Sequence, residues 1–223
     1  METPFLGFPE TRAFLADLAA HNDRAWFAAN KVRFERVYRQ PAEAFVAELR
    51  PRLEALVGCP VVAKVFRIHR DVRFSKDKSP YNAHLHIGLQ TPKTPGEPRR
   101  RGGFYVGLDV EKLTLGAGAF AFDAADLDRY RRAVDNDFDG AALAKVLASA
   151  GGRLHQTDLK RTPAPYAADH PRGDLLRRKG LNVWRDIEDP ARVASPDLVD
   201  DVIAAFEALD PVNAWLTEVL EGT

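Results

Sequence analysis

Cysteine is almost missing from these 223 residues; Cys59 is the only one. No internal disulfide can form and no cysteine cluster can hold zinc, so nothing points to an oxidising compartment. Cys59 lies beside Pro60 with no obvious base near it, and reads as an inert small thiol. Net charge is missing too: 32 Lys and Arg balance 32 Asp and Glu, which argues against bulk adhesion to nucleic acid. No stretch approaches the ~20 apolar residues of a membrane span. The opening METPFLGFPETR has no basic start followed by an apolar run, unlike a signal peptide. The cytoplasm is therefore the expected address, with no membrane partner. Internal repeats and low-complexity tracts are absent as well, and nothing sets an oligomeric state.

What is present is an ordinary globular composition, 45% hydrophobic and 29% charged, in a length that suits one domain with a real core. The charge is unevenly spread. From Asp186 to Thr223 there are ten acidic residues and one basic residue, Arg192, leaving −9 there and +9 in the preceding 185 residues. Residues 1–58 read as helical: Phe14, Leu15 and Leu18 form one stripe, Asn22-Asp23 offers a cap, and Asn30 follows Trp26 by one turn. Pro51 predicts a kink or break in the helix that begins near Pro41. Residues 59–119 are strand-rich, with runs at Val61–Ile68, His84–Leu89, Phe104–Val110 and Lys112–Leu115. A hairpin loop, TPKTPGEPRRRGG, separates the second and third runs, and Gly116-Ala117-Gly118 reads as a turn after the fourth. Residues 120–181 hold two helices and a basic irregular block. Residues 182–223 hold a strand and an acidic helix starting near Ser195-Pro196, its stripe interrupted at Pro211. Helices, then hairpin-joined strands, then helices predict an α+β domain with a largely antiparallel sheet packed against N-terminal and C-terminal helices.

The stretch Arg67 to Tyr81, RIHRDVRFSKDKSPY, concentrates charge behind an apolar run. If the preceding strand continues through it, alternation places Arg67, His69, Asp71 and Arg73 on one face and Phe66, Ile68, Arg70, Val72 and Phe74 on the other. Arginines bind carboxylate or phosphate at two points, and lysines add point charge. Arg67, Arg70, Asp71, Arg73, Lys76, Asp77, Lys78 and Tyr81 therefore form a candidate anion-binding set, with Lys160, Arg161 and His170 arriving from the basic block. A salt-bridge network that pins a loop to the core explains the same residues. If the pocket is catalytic, on a phosphoester or nucleotide, Asp71 is the candidate base and His170 the candidate acid. If the chain is instead an interaction module, Arg99, Arg100 and Arg101 and the basic block contact a nucleic acid or a protein. His84 and His86, at i, i+2, can share a strand face and with His69 are weak candidates for a metal. Ordinary packed histidines are the plainer reading.

The pattern Arg67-x-x-Arg70-Asp71-x-Arg73-Phe74-x-x-Asp77-Lys78-x-x-Tyr81 resembles the signature of the bacterial domain-of-unknown-function family 2461. Trp26-Phe27-x-x-Asn30-Lys31, Gly116-x-Gly118, Leu159-Lys160-Arg161-x-Pro163, Asp169-His170-Pro171 and Leu175-Leu176-x-x-Lys179 extend the likeness over nearly the whole chain. Where the family often carries Lys-Thr after the tyrosine, this chain has Asn82-Ala83, so no lysine acts from that position. The resemblance implies a single α+β domain and implies no substrate, cofactor or reaction.

Overall fold

A computed structural model describes residues 4–92 and 101–221 of the chain. The helical N-terminal part comprises α1 (Pro9–Ala20), α2 (Arg24–Ala29), α3 (Lys31–Phe34), a π-helical turn over Glu35–Arg39, and α4 (Gln40–Val57). Asp23 caps α2 by accepting from the Trp26 N–H at 2.8 Å. The Asn30 amide donates to the Trp26 carbonyl at 2.9 Å, a local backbone bond rather than a reach into a site. α4 is unbroken at Pro51. That proline faces solvent, where water can satisfy the carbonyl it leaves free, while Leu49 and Leu53 on the buried face hold the helix down.

Six strands form one antiparallel sheet: β1 (Val62–Val65), β2 (Leu85–Gln90), β3 (Gly103–Leu108), β4 (Leu113–Ala119), β5 (Arg153–Leu154) and β6 (Leu181–Ile187), in the order β1-β2-β3-β4-β6-β5. The remaining helices are α5 (Ala124–Asp135), α6 (Asp137–Ala150), α7 (Gly173–Leu176), α8 (Pro190–Val193) and α9 (Leu198–Glu221). The architecture is α+β. Strand alternation sends Leu85, Ile87 and Leu89, Phe104, Val106 and Leu108, Leu113, Leu115 and Ala117, and Leu181 and Val183 to one face, all of them buried. α4 and α9 cover that face, with Phe206 of α9 against Phe104 at 4.8 Å between ring centroids. α9 runs through Pro211, again on its exposed side. It starts two residues after Pro196, and Ser195 Oγ accepts from the Asp197 N–H at 3.0 Å ahead of it.

Two further sequence expectations fail here. The first strand stops at Val65 instead of running on to Ile68 or through Arg73, and beyond it only the His69–Tyr81 bridge forms. A strand needs a neighbour to pair with, and after Phe66 the chain folds back on itself. The predicted alternation is lost with it: Ile68 is buried, but Phe74, expected to face inward, is 95% exposed. The glycines at 116 and 118 lie inside β4, paired on both sides, so they form no turn after it. Of the loop between β2 and β3, residues 93–100 lie outside the described residues.

Gly118 has φ +129°, and a Cβ there would collide with the Leu181 carbonyl of β6. Gly118→Ala is expected to cost roughly 2–4 kcal/mol, combining strain with steric overlap. Gly58→Ala, at φ +69° with nothing within 4 Å of the added methyl, should cost only ~1 kcal/mol. Urea denaturation of the two variants checks the difference.

Candidate functional site

The Arg67–Tyr81 loop is anchored by apolar residues and braced by its own charges. Ile68 and Tyr81 are buried. The Tyr81 ring stacks on Phe27 at 4.2 Å, and His69 meets both rings at their edges. Asn22 clamps the Tyr81 backbone, donating from Nδ2 to its carbonyl at 3.0 Å and accepting from its N–H at 3.1 Å. In sequence Asn22 had looked like part of a helix cap only. The half-buried Arg70 donates to Asp77 and, at 3.4 Å, to Ser75 Oγ. Asp77 also accepts from the Ser79 hydroxyl at 2.6 Å and its N–H at 2.9 Å. Arg73 grips Asp71 through Nε at 2.9 Å and Nη2 at 2.6 Å, and Lys78 Nζ donates to the Val72 carbonyl at 3.0 Å. Arg67 and Lys76 are exposed and make no hydrogen bond or ion pair among the described residues.

These contacts lower the pKa of both carboxylates. The Arg73 hydrogen bonds hold Asp71 below the usual range, and Ser79 and then Arg70 hold Asp77 well below it. A carboxylate stabilised in this way is a poor proton acceptor, which weakens the case for Asp71 as a base.

The basic block sits elsewhere. β1 ends, and the loop begins, at the sheet end marked by Leu108, Leu113 and Ile187; the block enters β6 at Leu181, the opposite end. β1 and β5 are also opposite edges of the sheet, five strand spacings or roughly 24 Å apart. Loop and block thus leave from diagonal corners. Neither segment contributes a lining residue to any of five cavities found among the described residues. The joint pocket expected from Lys160, Arg161 and His170 does not form, because the chain between them crosses the whole sheet. Lys160 and Arg161 are exposed. His170 pairs through Nε2 with Asp135 at 3.2 Å and accepts at Nδ1 from the Arg172 N–H at 3.0 Å. Arg172 donates to the Val134 and Asp135 carbonyls at 2.6 and 2.9 Å, strapping the block to the end of α5. Asp71 and His170 therefore make no acid–base pair. Arg101, expected to be free for a polyanion, is instead largely buried in an ion pair with Asp126. Arg99 and Arg100 lie outside the described residues.

A concave surface lies on the outer face of the sheet. A groove of about 570 Å³ is walled by Phe66, Tyr105, Phe120 and Trp184, with His84, His86, Asp109 and Thr114 at one end. Its shape follows from glycines. Gly88 lies under the Phe66 ring, Gly107 under His86 and Gly116 under Trp184, where a Cβ would meet those rings at 3.2, 3.3 and 2.5 Å. Tyr105 packs between Phe120 at 4.4 Å and Trp184 at 6.0 Å. Lys64 lies over the Phe66 ring at 5.0 Å. Beyond Thr114, Asp186 accepts from Lys112 at 2.9 Å, Thr114 at 2.7 Å and Arg153 at 3.1 Å. Burial lowers the pKa of His84, and that of His86 to about 4. Burial raises the Tyr105 hydroxyl.

Sequence reasoning singled out His84 and His86 but missed the aromatic walls. The available signal was glycine alternating with an aromatic residue on one strand face, as in Gly103-Phe104-Tyr105-Val106-Gly107. His69, on the helical side against Phe27 and Tyr81, does not join the histidine pair. Among the described residues no group of three or more His, Cys, Asp or Glu is placed to hold a metal. No helix among them is long and apolar enough to cross a membrane.

These features define an α+β protein whose helices cover one face of an antiparallel sheet and whose other face carries an aromatic groove beside a self-braced basic loop. The chain belongs to the family described as conserved hypothetical protein DUF2461, whose model matches residues 10–215. Comparison with curated proteins found no match.

Arg70→Met should release the loop without unfolding the domain. Limited trypsinolysis is expected to cut at Arg73 and Lys76 several-fold faster, with little change in Tm. Asp186 gives a pH test. Burial alone would raise its pKa, but hydrogen bonds from Arg153, Lys112 and Thr114 bring it to about 2, below the unfolded value of ~3.9. Its contribution to stability is present above that unfolded value and is lost as pH falls through the folded one. The stability gap between wild type and Asp186→Asn, followed by denaturant titration, should close between about pH 4 and pH 2.

Proposed function

We propose that the protein binds a small anion bearing a planar ring, of the nucleotide or aromatic-acid type, in the groove on the outer face of the sheet. The observation that carries this reading is the groove of about 570 Å³ with aromatic walls and a few polar groups gathered at one end. That size and lining suit a small ligand. The ring would lie among Phe66, Tyr105 and Trp184, where stacking is worth ~0.5–1.5 kcal/mol beyond burial. The carboxylate or phosphate would point to the histidine end. Arg70 is close enough to His84 to act on its pKa, and the uncommitted Arg67 directly follows Phe66 of the groove wall. An arginine there offers two parallel donors to an oxyanion.

Quenching of Trp184 fluorescence by a nucleoside monophosphate, an aromatic carboxylate, the parent nucleoside and inorganic phosphate tests the reading. The ring-bearing anions should bind at least tenfold more tightly than either uncharged nucleoside or bare phosphate. Tyr105→Ala and Arg67→Met should each weaken them by about tenfold, or ~1.4 kcal/mol. Saturation by none of the four, or equal binding in Tyr105→Ala, overturns it.

A further inference from the structure

His84 and His86 flank Leu85, whose side chain is fully buried on the inner face of the sheet. Alternation turns both imidazoles the other way, and both line the groove. Their ring centroids are 4.1 Å apart, with the planes inclined by 33°. The backbone beneath them is fixed. The Tyr38 hydroxyl donates to the His84 carbonyl at 3.3 Å, and the Phe66 N–H to the His86 carbonyl at 2.9 Å. Gly107, opposite His86 in the β2–β3 ladder, leaves space for the ring above it. Neither imidazole makes a side-chain hydrogen bond or ion pair among the described residues. A neutral imidazole carries one donor and one acceptor nitrogen; His84 is half-buried and His86 is exposed, so both rings are reachable from the groove. Two adjacent rings without partners, facing a cavity, are suited to share one.

We propose that His84 and His86 chelate one divalent first-row transition ion of the kind that prefers imidazole, such as Zn²⁺, at the polar end of the groove. Zn–N bonds of ~2.0–2.1 Å place two ligating nitrogens on one ion about 3 Å apart, a separation that rings this close reach by turning about their side-chain torsions. The pair supplies two ligands, and the other positions stay open to water and to the groove. Asp109 lines the same end of the groove, where its carboxylate favours a cation. An anionic ligand could fill the open positions; that last step rests on the proposed function, whereas the chelate does not.

Calorimetric titration of the full chain with Zn²⁺ tests the proposal. One ion per chain is expected, at least tenfold weaker in His84→Gln and in His86→Gln, with no heat from Mg²⁺. Thermal melts of both variants confirm folding. A second measurement needs no variant: substoichiometric Ni²⁺ should broaden the ring-proton NMR signals of two histidines and spare those of His21, His69, His155 and His170. No zinc binding, binding unchanged in folded variants, or broadening centred on other histidines overturns the chelate. Repeating the fluorescence titrations in EDTA separates the two readings. Ring-bearing anions that still bind while zinc does not sink only the chelate, and zinc binding without anion binding sinks only the proposed function.

Discussion

Phe206 of α9 packs on Phe104 of β3 at 4.8 Å, inside an interface where aliphatic side chains from β2, β3, β4 and β6 are almost fully buried. Burying each such side chain contributes about 1.5–3 kcal/mol, and because strand side chains alternate, this one-sided burial fixes what the other face must carry. Every residue between two buried ones points outward. His86, Tyr105, Thr114, Trp184 and Asp186 are on the outer face because Leu85, Phe104, Leu113, Val183 and their neighbours are on the inner one.

The outer face would be flat if those residues stood upright beside large neighbours. Glycines at 88, 107 and 116 instead let rings lie over the strands, leaving a trough between Phe66 and Trp184. The loop from Arg67 to Tyr81 meets this trough at its histidine end and is held there by a different set of forces. Asn22 and Phe27 secure Tyr81, and the Arg70–Asp77 and Arg73–Asp71 pairs set the loop's shape. Exposed ion pairs add little stability individually. Here they hold a short loop in one conformation, with most of its charge turned onto itself.

Much of the fold was legible because its signals are local. Asp23 as a cap and the strand runs at 84–89 and 104–110 each depend on residues a few positions apart. The misreadings arose where a distant partner decided the outcome. Gly116 and Gly118 looked like a turn until β6, about 65 residues on, paired with them across β4. Pro51 and Pro211 looked like breaks because their exposure on otherwise buried helices depends on the core around them. Phe74 looked internal because alternation was carried past the point where β1 loses its neighbour.

The candidate site divides the same way. The sequence by itself determined the α+β class, the placement of most strands and helices, the uneven charge and the family. All of these rest on periodicity, capping and motif, which are properties of neighbouring residues. Tertiary structure alone decided that the two basic segments occupy diagonal corners of the sheet, that Arg101 and Arg172 are structural, and that Tyr105, Trp184 and Phe66 wall one groove with His84 and His86. The strand order β1-β2-β3-β4-β6-β5 sets which side chains become neighbours, and that order is selected by burial of the whole inner face rather than by any short stretch of chain.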